Sequence, residues 1–190
     1  MIVFAAILIV SAAIGAYVWI GNKPPVHAGE VLAITAYPIH RDLSPAAEMG
    51  GLTGQKDTFD EVIVLADVRI KNQADIPLFL HDMSADITLA NGDVQHNVAA
   101  GHDDFQKVFI AYTDLDAHKG TPIKRDTTLT PGQQIEGQII FHYPISKDQW
   151  NTRSKFDISV DFLHQKSLVL HAPASTVAAL EPAMRTAPGY

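Results

Sequence analysis

The chain has 190 residues, 47% of them hydrophobic, a formal net charge of −7 and no cysteine. The acidic balance argues against nucleic acid, which needs a basic surface. The missing thiol excludes disulfides, thiolate zinc sites, iron–sulfur clusters, covalent c-type haem and a catalytic cysteine.

Met1 to Ile20 is apolar and carries no formal side-chain charge. At about 1.5 Å rise per residue it would make a helix of roughly 30 Å, the thickness of a bilayer's hydrocarbon core. Tyr17 and Trp19 would lie at headgroup level, and Gly21 to Pro25 would stop the helix. No Lys or Arg precedes the run, so a retained single-pass anchor is expected; Ala12, Ala13 and Ala16 keep a cleaved signal as the alternative. Ser11 and Gly15, beside Ala12 and Ala16, form small-xxx-small pairs suited to a neighbouring helix. Lys23 and Arg41 favour a cytoplasmic C-terminal part by the positive-inside rule, but the domain type favours the other side. The expected placement is a membrane with the C-terminal domain extracytoplasmic.

The expected division is an anchor at 1–20, a linker at 21–29, a β-domain at 30–171 and an extended Ala/Pro-rich tail at 172–190. Glu30 to Tyr37 reads as a first strand and Pro38 to Asp60 as a long loop around Met49-Gly50-Gly51-Leu52-Thr53-Gly54. Glu61 to Lys71 alternates: Val62, Val64, Ala66, Val68 and Ile70 share one face, while Asp67, Arg69 and Lys71 share the other behind Ile63 and Leu65. Pro77 to Leu80 is a short run. Ala85 to Leu89, Asn91-Gly92 and Val94 to Val98 read as a hairpin with a primed turn.

Phe105, Val108, Phe109 and Tyr112 then recur at helical spacing, predicting a short amphipathic helix within 102–116, capped by Asp103 or Asp104 and crossing one end of the sheets. Strands resume at Thr127 to Leu129, Ile135 to Tyr143, Lys155 to Leu163 and Ser167 to His171, with a turn at Pro131-Gly132. Seven or eight short strands imply a mainly β, antiparallel immunoglobulin-like β-sandwich, here behind one transmembrane helix and with one inserted helix.

The strand end Val68-Arg69-Ile70-Lys71-Asn72, the segments Asp86-Ile87-Thr88-Leu89 and Asn91-Gly92-Asp93, and the run from Leu129-Thr130-Pro131-Gly132 into Ile135-Glu136-Gly137-Gln138-Ile139-Ile140-Phe141 carry a resemblance. Over residues 30–171 they resemble the immunoglobulin-like domains of unknown function on bacterial lipoproteins and membrane-anchored envelope proteins. The resemblance implies fold and location rather than chemistry. Usual lipoprotein members carry a lipobox Cys, which this chain lacks, so a protein anchor would replace the lipid, and the resemblance implies a bacterial inner membrane with the C-terminal domain in the periplasm.

No constellation points to catalysis. The nine His are scattered without HExxH spacing. His81-Asp82-Met83 with Met49 offers imidazole and thioether for copper but lacks a companion pair. Asp114, Asp116 and His118 alternate without the full ladder of a calcium loop. There is no G-x-S-x-G elbow, and Gly50, Gly51 and Gly54 do not precede a helix. The expectation is therefore a non-enzyme with no catalytic residue, cofactor or metal. It would be an accessory subunit bracing the extracytoplasmic face of a membrane complex, with a respiratory or photosynthetic assembly as one host. Its partners would be membrane lipid and other integral-membrane subunits. Contacts are assigned to Ser11, Gly15 and Ala16 in the anchor, Phe105, Phe109 and Tyr112 on the inserted helix, and Leu180, Met184 and Tyr190 in the tail. The alternative is a free-standing membrane-anchored envelope module that binds a ligand, metal or polymer.

Overall fold

The computed structural model describes residues 10–12, 14–15, 25–43, 57–172 and 180. Eight strands form two antiparallel sheets: β1 (His27–Leu43), β2 (Asp57–Asn72), β3 (Leu78–Thr88), β4 (Val94–Val98), β5 (Thr127–Leu129), β6 (Gln134–Tyr143), β7 (Lys155–Phe162) and β8 (Leu168–His171). Sheet A has the order β1-β2-β6, and sheet B the order β4-β3-β7-β8 with β5 also paired to β3. Helix α1 (His102–Ala111), a 3-10 turn at Thr113–His118 and helix α2 (Lys147–Asn151) complete the described elements.

The alternation of β2 decides the architecture. Val62, Val64, Ala66, Val68 and Ile70 face sheet B in the larger apolar cluster, with Leu80, Ile87, Phe141, Trp150 and Phe156 among their neighbours. Phe156 is the hub of its aromatic part: the rings of Phe141, Tyr143 and Trp150 stand edge-on to it at 6.2, 6.3 and 5.4 Å. Edge-to-face packing of this kind adds to the stabilisation given by area burial alone. The Tyr143 hydroxyl donates to Ala85 O at 2.7 Å, stitching sheet A to sheet B. Burial, with Asp86 nearby, pushes that phenol well above its ordinary range.

Several boundaries differ from expectation for identifiable reasons. β1 runs through Pro38 to Leu43 and β2 begins at Asp57, so much of the expected loop is a two-stranded ribbon. Pro is tolerated because β1 is an edge strand, where a ladder hydrogen bond can be missing. The runs at 77–80 and 85–89 belong to one strand, β3, whose pairing with β7 shifts register between Leu80 and Asp82. The Asn91-Gly92 turn is not primed. Gly92 N bonds Leu89 O at 3.0 Å, Leu89 N bonds Asp93 O at 2.8 Å, and only Gly92 (φ 90°) is left-handed there. That geometry is a three-residue loop whose last residue needs a positive φ. Helix α1 is preceded by Gly101, with no side-chain cap; Asp103 and Asp104 instead lie in the first turn, where negative charge favours the helix dipole. Helix α2 was not anticipated, although Ser146 and Gln149 form a reciprocal capping box at its start.

The expectation of a membrane anchor is corrected. Among the described residues no helix is long and apolar enough to cross a membrane. In the leading stretch only Val10–Ala12 and Ile14–Gly15 are described, and they are helical. A bilayer span needs about 20 residues. The rest of 1–24 lies outside the described residues, as does the expected glycine loop at 49–54. The fold class is accordingly mainly β, two antiparallel sheets in a sandwich-like arrangement, with no membrane-spanning helix among the described residues. The single-pass inner-membrane location and the membrane-lipid and integral-membrane partners lose the observation on which they rested.

Candidate ligand-binding cleft

The outer face of sheet A is wet only along part of its length, where exposed Arg69 pairs with Glu30 and Glu136. Ile63, Leu65 and Ile140 point outward into a second buried cluster, where they meet Tyr37, Ile39, Phe105, Phe109 and Leu115. Helix α1 and the 3-10 turn form its roof, so this insertion lies across the sheet rather than over one end. Phe105 and Phe109 are each 2% exposed, with ring centroids 5.2 Å apart.

Each end of the roof is tied down by backbone. At its start, Ala99 N bonds Met83 O of sheet B at 2.9 Å, and the next amide, Ala100 N, bonds Ile140 O of sheet A at 2.8 Å. The chain thus changes sheets between two residues. At the far end Gln138, buried in β6, receives Gly120 N on Oε1 at 2.9 Å and donates Nε2 to His118 O at 2.8 Å and Asp67 Oδ1 at 3.0 Å. Residues 121–123 then run against β6, where Gln138 N bonds Thr121 O at 2.7 Å. A Cβ on Gly137 would stand 2.7 Å from Thr121 O, so only glycine admits this crossing. Half-buried Asp67 is held above the usual carboxylate range by desolvation, an effect that Gln138 and His118 oppose.

Between roof and sheet the first tie leaves a cleft of about 330 Å³. Its walls include Ile63, Val98, Val108, Ile140 and the ring of Tyr112. Its polar groups come from both walls: Glu61 and His142 on sheet A, Asn97 on β4 and Asp104 on α1. His142 Nε2 stands 3.0 Å from a carboxylate oxygen of Glu61, whose side chain is only 14% exposed. Asn97 fixes this corner by donating Nδ2 to His142 O at 2.6 Å. Asp104 pairs with Lys107 at 2.9 Å on the exposed face of α1, and the Tyr112 hydroxyl accepts from Arg41. A concave apolar wall with a few convergent polar groups is the usual form of a small-ligand site. Among the described residues no Ser, Thr, Lys or Cys lines it.

The residues singled out in the sequence fall in different places. Phe105 and Phe109 serve the chain's own second core, while Tyr112 lines the cleft. Ser11 and Gly15 are exposed, and nothing stands within 4 Å of where a Gly15 Cβ would be. Leu180 packs on the second cluster. Ala16, Met184 and Tyr190 lie outside the described residues. His81 is exposed while Met83 is buried in the main core, so the two do not converge; Met49 lies outside the described residues. Asp114 accepts from the Tyr37 hydroxyl at 3.1 Å. Four histidines pair with carboxylates: His40–Asp60, His96–Asp86, His142–Glu61 and His171–Asp157, at 2.6 to 3.0 Å. Each pair bridges neighbouring strands, and no group of three metal-ligating side chains is assembled among the described residues. Glu61, Asn97 and His142 were missed. The signal available for them was the outward Ile63, Leu65 and Ile140, which require a cover and hence a seam at its margin.

No family model matches the chain, and no curated protein matches it. Among solved structures, the Northeast Structural Genomics Consortium target SoR45 is similar over 87% of this chain and 94% of its own, at 9% identity and a TM-score of 0.37. An uncharacterised β-sandwich protein from Clostridium difficile 630 is similar over 80% of this chain and 88% of its own, at 9% identity and a TM-score of 0.35. The expected kinship with membrane-anchored or lipoprotein immunoglobulin-like domains is therefore corrected. With no family match and no spanning helix among the described residues, the class that stands is a β-sandwich-like domain. The roles as a membrane accessory subunit and as a membrane-anchored envelope module fall with it.

Proposed function

We propose that this chain is a non-catalytic binding domain whose cleft between α1 and the β2–β6 part of sheet A, flanked by β4 of sheet B, takes a small organic cation, with an apolar body and a protonated amine. The observation that carries this reading is the Glu61 carboxylate, mostly withdrawn from water at the margin of an apolar cavity. A buried carboxylate is costly unless paired, and an incoming ammonium can share it with His142 or replace His142 on it. The cavity is of a size that suits one such ligand. Asp104 adds a second carboxylate at the rim, and the chain's net charge of −7 favours approach of a cation. The lining supports binding over turnover: among the described residues it offers a carboxylate–imidazole pair and no hydroxyl or amine nucleophile from Ser, Thr or Lys.

The test is a titration with phenethylamine, followed through the methyl NMR signals of Ile63, Val98, Val108 and Ile140. Phenethyl alcohol serves as the neutral control. The amine is expected to shift these methyls saturably, the alcohol to bind at least tenfold more weakly, and Glu61→Gln to erase the difference. Equal affinity for amine and alcohol, or shifts confined to other residues, would refute the reading.

A further inference from the structure

The second cluster has another margin, at the free edge of β1. Sheet A has β1 as an edge strand, hydrogen-bonded to β2 on one side. Near its start Gly29 faces Leu168 and Leu170 of β8 across the sandwich. The register of β1 with β2 then shifts between Val31 and Ala33. At Ala36 the edge carbonyl is used: Leu180 N donates to Ala36 O at 2.8 Å. The Leu180 side chain packs on the second cluster, whose β1 members are Tyr37 and Ile39.

We infer that the β1 edge at Ala36, with the apolar patch beside it, is a strand-addition site for an extended peptide bearing a leucine-class side chain, and that Leu180 occupies it in cis. Two features recognise the partner. The Ala36 carbonyl points away from β2 and accepts a backbone N–H, which every residue but Pro supplies. The adjoining patch accepts one branched apolar side chain. This is peptide recognition by addition to a sheet edge, in which main-chain bonds give affinity and a side-chain pocket gives specificity. The site is short by construction. Side chains and backbone groups repeat every two residues along a strand, so Pro38 shares the outward side of Ala36 and offers no donor there. The register shift before Ala33 closes the other end. Edge strands blunted in this way resist indiscriminate pairing, so the Ala36 carbonyl acts as a selective contact. A competing peptide must displace a tethered occupant whose effective concentration is on the order of millimolar.

Full-length Leu180→Asp protein is titrated with a synthetic peptide of residues 173–190, followed by backbone amide NMR. The expected result is binding at least tenfold tighter than to the wild-type chain, with shifts centred on Ala36, Tyr37 and Leu115. The same peptide carrying L180D is expected not to bind. Equal binding to both proteins, or no binding to a folded L180D chain, overturns the inference. Should L180D not fold, the wild-type chain decides. Its Leu180 amide is expected to exchange with solvent at least tenfold more slowly than an unstructured amide of the same sequence, and exchange at the unstructured rate overturns the inference.

Discussion

The layer between the sheets and the layer beneath α1 share β2 as a common wall, one face each. On the inner face Val62, Val64, Ala66, Val68 and Ile70 meet an opposing sheet whose own alternation supplies the partners. On the outer face Ile63 and Leu65 meet a helix and a 3-10 turn, held by the Ala100 backbone and the Gln138 side chain. The first layer lies between the two sheets and includes the Trp150–Phe156 aromatic group. The second ends in seams, and the cleft and the Leu180 contact lie at two of them. The contrast assigns stability to the interior layer and recognition to the roofed one, where a local opening leaves the sandwich intact.

The largest effect that separates the layers is expected from Phe156→Ala. It removes the hub of three ring contacts and should cost about 3–5 kcal/mol, read as cooperative loss of stability in denaturant with all probes coinciding. Asn72→Ala comes next. Its buried amide donates to Ile76 O and Leu129 O at 2.9 Å each, and its oxygen accepts from Ala74 N at 2.8 Å. Stranding these groups should cost about 2–3 kcal/mol, with the midpoint falling and the denaturant slope preserved. Phe109→Ala tests the roof. Hydrogen exchange should speed up across α1 and residues 113–118 while β3 and β7 keep their protection. Uniform acceleration would merge the two layers into one.

The smallest effects are expected in the pH dependence, where one carboxylate on each outer face carries the opposite sign. Asp67, under the roof, has its pKa raised chiefly by desolvation. Its contribution favours folding when protonated and is lost as pH rises through the raised value. Asp67→Asn keeps an acceptor for Gln138 and should slightly raise stability at neutral pH. On sheet B, burial opposes ionisation of Asp157, but Lys155 and His171 outweigh it and the pKa is lowered. Its contribution is present above the unfolded-state value, near 3.9, and is lost as pH falls through the lower, folded-state one. Asp157→Asn should therefore flatten the acid limb of the stability profile. Stability profiles of the two variants against pH check both signs.

The interior layer was legible in the sequence because its code is local. The alternation in β2, β6 and β7 puts one residue in two inward, and Asn91-Gly92 and Pro131-Gly132 mark turns. The roofed layer was only partly legible. Helical spacing of Phe105, Val108, Phe109 and Tyr112 announced α1, but not the surface it covers. Gln138 reads as an outward polar residue of β6, yet it is 2% exposed, because its partners at Asp67, His118 and Gly120 come from elsewhere in the chain. The early end of β2 misled for a related reason: a two-stranded ribbon past the sheet needs no apolar face, so residues 57–60 read as loop. The leading apolar run matched the composition of a span, but composition does not establish a helix, and among the described residues none is long enough.

Native-state hydrogen exchange, compared with and without phenethylamine, tests the central claim most directly. If the roofed layer is the recognition layer and the cleft its site, the amine will slow exchange across α1 and residues 113–118 and leave β3, β7 and β8 unchanged. Slowing spread evenly over both sheets, or no slowing of α1 at saturating amine, would contradict the account.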